Sequence, residues 1–198
     1  MYTNALSLAL FAGAAMASPC TTTPRDTSAI AAGDRFTLLS LRSASAVHFG
    51  QVSAALNSVF VNLPAQNATC DDGAAPTQPG YATFTLSEAG ELYLYAASAT
   101  PQQLYADRSG MGQGKLGYTT GAEPAPRNAE RAGFAVGADG ALTLAGAGFL
   151  ACPDSVDGAW SVWVDAGVAN PAGNTGCLGF SARAVKVEGT PNSCLYTQ

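Results

Sequence analysis

The feature that most constrains this chain is a succession of short apolar runs, each too brief for a helix. They read FTLLSL (36–41), AVHFGQV (46–52), SVFVNL (58–63), ATFTL (82–86), ELYLYA (91–96), QQLYAD (102–107), KLGYTT (115–120), GFAV (133–136), ALTLAG (141–146), FLAC (149–152), WSVWVD (160–165) and FSARAVKV (180–187). Gly, Pro, Asp, Asn and Ser separate them. Leu92/Leu94, Leu142/Leu144 and Trp160/Val162/Val164 alternate with the period of two that marks a half-buried strand. No segment keeps a 3.6-residue apolar stripe for three turns, and one helical turn near VSAALNS is the most the pattern allows. Many short strands with turn punctuation predict an all-β domain.

A faint repeat refines this. FTLSEAGELYL (84–94) and FAVGADGALTL (134–144) align, and Phe180 stands where a third copy would open. Asp139-Gly140 suits a hairpin turn with positive φ, and Gly90 stands at the matching place. Three copies of about four strands predict a β-trefoil; two copies fit a β-sandwich equally well. The 198 residues suffice for one such domain.

The N-terminus assigns the compartment. MYTNALSLALFAGAAMA has a polar start, an apolar centre and the small-x-small site Ala15-Met16-Ala17. It is expected to be a secretory signal peptide spanning 1–17, cleaved after Ala17. Residues 18–34 read as a lead-in and 35–198 as a single domain. The C-terminal VEGTPNSCLYTQ has no apolar tail, so no membrane anchor is expected. Export makes the cysteines readable as disulfides. Cys20 is the odd one of five, beside Cys70, Cys152, Cys177 and Cys194. Those four allow three pairings, of which Cys152–Cys177 with Cys70–Cys194 is favoured. Asn67-Ala68-Thr69 is a sequon, so Asn67 is expected to be glycosylated on a surface loop.

Several functions are set aside on the residues. Charged residues make up 12% and the net charge is −5, which argues against nucleic acid. Zinc has no C-x-x-C pair and only His48 to offer. In DRSGMGQGKLGYTTG (107–121), Gly112, Gly114 and Gly117 have G-x-G-x-x-G spacing. A dinucleotide or phosphate loop needs a helix next, and YTTGAEPAPR cannot open one. The glycines therefore read as a strand–loop–strand connection, with no nucleotide and no cofactor. His48 is the only histidine for a nucleophilic triad, and it reads as structural. Asp107, Asp154, Asp157 and Asp165 lie near strand ends without an evident acid and base. Asp107 beside Arg108 reads as a surface ion pair. Trp160, Trp163, Tyr93, Tyr95, Tyr105 and Tyr118 serve a β core or a sugar-stacking surface. Alternation puts Trp160 and Trp163 on opposite faces. Core is the first reading for both, and glycan stacking the second.

The stretches ELYLYAASATPQQLYADRSGMGQGKLGYTTGAEPAPRNAER and FLACPDSVDGAWSVWVDAGVANPAGNTGC closely resemble the PhiA type of secreted fungal cell-wall protein of phialide development. The likeness runs from about Phe36 to the C-terminus and is densest from Glu91 to Cys177. It implies a non-enzymatic wall glycoprotein needed for normal phialide and conidium formation, of a type also met as fungal antigens, with no catalytic residues to transfer. Its partners would be wall polysaccharide or other wall proteins. A carbohydrate-binding module attached non-covalently to wall polysaccharide is the alternative.

Overall fold

The computed structural model describes residue 1, residues 29–71 and residues 80–198. The expected signal peptide, Cys20, most of the lead-in and most of the loop 71–80 lie outside the described residues. The rest forms strands β1 (Arg35–Leu41), β2 (Gly50–Ala55), β3 (Ser58–Val61), β4 (Thr69–Cys70), β5 (Phe84–Leu86), β6 (Leu92–Leu94) and β7 (Gln102–Asp107). There follow β8 (Lys115–Thr120), β9 (Phe134–Val136), β10 (Ala141–Leu144), β11 (Phe149–Cys152), β12 (Trp160–Val164), β13 (Leu178–Lys186) and β14 (Cys194–Leu195).

Every ladder is antiparallel, and the main sheet closes on itself. Hydrogen-bonded neighbours run β1, β5, β6, β7, β8, β3, β12, β11, β13, and β13 pairs back with β1 from Phe36↔Lys186 to Leu41↔Ser181. The order is threefold. Hairpins β2–β3, β7–β8 and β11–β12 are equivalent, and their second strands meet one another through Ser58↔Gly117, Trp163↔Lys115 and Trp160↔Val61. The six remaining long-sheet strands ring the other end, through pairs β1–β5, β5–β6, β9–β10, β10–β13 and β13–β1. The last step, between β6 and β9, is carried by the Phe134 N–H donating to the Gly90 carbonyl at 2.9 Å. That is the strand order of a β-trefoil. It decides against the sandwich, whose two sheets would leave open edges.

Packing repeats the same symmetry. Leu38, Leu92 and Leu142 come from β1, β6 and β10; Val52, Leu104 and Phe149 from β2, β7 and β11. Val59, Leu116 and Val162 come from β3, β8 and β12, and Phe84, Phe134 and Phe180 from β5, β9 and β13. All twelve are buried and enclose only about 10 Å³ of free space, a packed axis rather than a ligand cavity. The turn glycines Gly90 and Gly140 hold φ near +75°, as their place in the repeat requires.

Two expectations need correction. Residues 46–49 form turns, not the start of a strand, so His48 is off the sheet; β2 begins only at Gly50. VSAALNS is not helical: β2 runs to Ala55, and Leu56 and Asn57, both at positive φ, make the two-residue turn into β3.

The C-terminus is sewn across the ring. The fully buried Gln102 side chain accepts from the Tyr196 N–H at 2.8 Å and donates to its carbonyl at 2.9 Å, standing in for a strand neighbour. The Tyr118 hydroxyl donates to the Thr197 carbonyl, and burial pushes the Tyr196 phenol up to about 12. Cys70 and Cys194 face each other on β4 and β14 and are bonded; Cys152, closing β11, is bonded to Cys177 just before β13.

Candidate functional site

The glycine-rich loop is the most constrained surface feature. Asp107 ends β7 and Lys115 opens β8 as its cross-strand partner. Between them the backbone turns its N–H groups onto the loop's own oxygens. Gly114 N–H donates to the Asp107 carbonyl, Gln113 N–H to the Ser109 carbonyl and Lys115 N–H to the Gly112 carbonyl, each at 2.8 Å. Gly112 N–H donates to Ser109 Oγ at 3.3 Å, and Ser109 N–H to Asp107 Oδ1 at 2.9 Å. A phosphate cradle needs such N–H groups free and convergent on the ligand; here those of Ser109, Gly112, Gln113 and Gly114 are spent within the loop, and a strand follows.

The glycines serve close approach instead. A Cβ on Gly112 would lie 2.2 Å from Asp107 Cγ, and one on Gly114 only 2.1 Å from the Val164 carbonyl oxygen. One on Gly117 would lie 2.8 Å from the Asn57 carbonyl oxygen and 2.9 Å from the Tyr105 hydroxyl. Gln113 Oε1 accepts from Ala172 N–H at 2.7 Å and ties the loop to the short turn Pro171–Gly173. Gln113 and Ala172 both sit at φ 51°, a strained conformation for residues with a Cβ.

This loop walls a cleft of about 320 Å³ lined by Tyr105, Asp107, Met111, Gly112, Lys115, Pro126, Trp163 and Ala172. Lys115 Nζ lies 5.5 Å over the Trp163 ring and donates to Ser58 Oγ at 2.8 Å. Burial lowers the Lys115 amine below the ordinary lysine range and raises the Tyr105 phenol. Among the described residues the ion pairs are Arg108–Glu130 and Lys186–Asp34, so Lys115 has no carboxylate partner. Arg108 grips Glu130 rather than Asp107, at 2.9 and 2.5 Å, and holds its carboxyl below the usual range. A broader opening of about 650 Å³, lined by Arg108, Ser109, Asn128, Glu130, Asp165 and Ala166, lies beside that pair.

The remaining candidates are scattered. Trp163 is 8% exposed with its indole N–H on Ser161 Oγ at 3.0 Å, while Trp160 is half-buried against the central core on the opposite face of β12. His48 Nδ1 accepts from the Arg42 N–H at 3.1 Å, and its ring leans on Phe49 with centroids 4.0 Å apart. Asp165 caps the Gly167 N–H at 2.9 Å; Asp154 and Asp157 sit in turns at positive φ. Asn67, in the loop entering β4, and Thr69, the first residue of β4, are both exposed. Among the described residues no three His, Cys, Asp or Glu side chains converge as metal ligands, and no helix is long and apolar enough to cross a membrane. The loop cleft thus offers one half-buried amine, aromatic rings and a carboxylate held by backbone, a set suited to gripping a ligand. Sequence reasoning missed that Lys115 meets Trp163, because those residues are joined only by the β8–β12 contact.

A closed, disulfide-stapled trefoil with shallow surface clefts defines a class of extracellular β domain. The family model of PhiA-like secreted proteins matches residues 36–197, and the chain belongs to that family. It is similar to the cell wall protein phiA of Aspergillus fumigatus, 56% identical over 82% of this chain and 85% of that relative. The cell wall protein phiA of Aspergillus niger is 52% identical over 84% of this chain and 88% of its own length. That of Emericella nidulans is 44% identical over 98% of both. No solved structure matches. The chain is a secreted cell-wall protein of this family.

Proposed function

We propose that this protein is a non-catalytic component of the wall that acts in the formation of phialides and conidia. The observation that carries the reading is the 56% identity, over most of both chains, to a protein named for the cell wall. The loop chemistry supports it: Lys115 forms no ion pair among the described residues, and the loop N–H groups of Ser109, Gly112, Gln113 and Gly114 are consumed internally. Maturation would remove residues 1–17 and place a glycan on the exposed Asn67. Deleting the gene and counting conidia tests the developmental role. A fall in conidia, restored by the intact gene, is expected; unchanged conidiation overturns it.

A further inference from the structure

The outer face of β6 carries a feature that the loop cleft does not. Leu92 and Leu94 point into the core, so Tyr93 and Tyr95 stand on the other face, both half-buried. A cleft of about 270 Å³ is lined by both tyrosines with Thr85, Ser98, Thr100 and Pro101. A second, of about 370 Å³, is lined by Tyr93 and Thr85 with Gly33, Ser87 and Glu88. Tyr93 and Thr85 line both, so the two clefts adjoin at these side chains and together make a groove.

The rings are held in place from behind. The Tyr93 hydroxyl donates to Glu91 Oε2 at 2.9 Å, and Gln103 Nε2 donates to Glu91 Oε1 at 3.2 Å. Arg35 lies 4.9 Å from the centroid of the Tyr95 ring. Among the described residues the hydroxyls of Thr85, Tyr95, Ser98 and Thr100 make no hydrogen bond, which leaves them for a ligand. Two pre-set aromatic faces beside free hydroxyls match a chain of pyranose rings, whose apolar C–H faces pack on aromatics while hydroxyls ring the edge. Glu88 on the groove and the net charge of −5 disfavour a polyanion. No side-chain amide lines the groove to read an N-acetyl group.

We propose that the Tyr93–Tyr95 groove docks a neutral polysaccharide of pyranose rings without N-acetyl groups, with β-glucan as its probe, and so holds the protein on polysaccharide without a covalent bond. This rests on wall residence as read above, but its test uses purified protein and is independent of development. Full-length secreted protein is mixed with insoluble β-glucan, with chitin as a second arm, and the protein left in the supernatant is measured. Wild type and Arg127→Ala are expected to sediment with β-glucan. Tyr93→Ala/Tyr95→Ala and Thr85→Arg, which fills the groove and spares both rings, are expected to bind at least tenfold more weakly. Tyr95→Phe keeps the ring and should retain most binding. Circular dichroism establishes that the variants are folded. Should they not fold, NMR of the wild type with soluble glucan oligosaccharides decides, through movement of the Tyr93 and Tyr95 ring signals. Wild type remaining in the supernatant, sedimenting with chitin only, folded variants that bind like wild type, or unmoved ring signals would each overturn the proposal.

Discussion

Gly114 packs where the main chain of β12 leaves no room for a side chain, and its φ is +95°. Gly110, four residues earlier in the same loop, has nothing within 4 Å of a built Cβ. Gly114→Ala should therefore lose at least about 1 kcal/mol of stability, and Gly110→Ala should stay within about 0.5 kcal/mol of wild type. Urea unfolding of both separates a packing role from a ligand-cradling one. Lys115 is one source of pH dependence in this region, beside the Tyr105 phenol that burial raises. The folded pKa of Lys115 is lowered by burial, so between that value and the ordinary lysine value the unfolded chain binds the extra proton. The Lys115 contribution to stability then rises with pH across that window, and the cost of the half-buried ammonium is present below it. NMR titration of the lysine Cε signals should place the Lys115 midpoint below the ordinary lysine value; a midpoint at or above it contradicts the burial seen here. The G-x-G-x-x-G spacing was legible as a tight connection. What each glycine accommodates was not, because Val164 lies 50 residues after Gly114 and Asn57 lies 60 residues before Gly117.

At the scale of elements, the pattern of short runs between breakers located β7, β8 and β11 to the residue, since each is a hairpin strand. It failed at 46–49, where apolar Val47 and Phe49 imitate a strand. Val47 is instead tucked into the core from a turn, and Phe49, at φ 60°, points into solvent. The pair β4–β14 was invisible because two residues carry no period; a disulfide and ladder contacts fix it. Tyr93 of β6 and Tyr95 just beyond it were readable as outward once Leu92 and Leu94 were inward, but the groove needs Thr85 on β5 and the 96–101 connection. The repeated phenylalanine has a thermodynamic consequence. Phe84, Phe134 and Phe180 occupy equivalent core positions, so each Phe→Ala change should cost about 3–5 kcal/mol. Denaturant melts showing one of the three to be near neutral would break the threefold equivalence.

At the scale of the molecule, closure of the sheet and two disulfides replace the edge protection that an open β domain must build by other means. The Cys70–Cys194 bond spans 124 residues and the Cys152–Cys177 bond 25. On chain entropy the first should contribute about 1.4 kcal/mol more than the second. Thermal melts of the paired Cys→Ser variants check this, and an equal or reversed order would show that local packing decides. The fold class was legible from many short strands, whereas trefoil and sandwich could be separated only by the long-range pairs that join β3, β8 and β12. This trefoil resides in the cell wall. The most direct measurement is the partition of the secreted protein between washed cell walls and culture medium. A substantial wall-bound fraction that survives salt washing and is released by detergent with reductant is predicted. Recovery of all of it from the medium, with none in the walls, would contradict the claim.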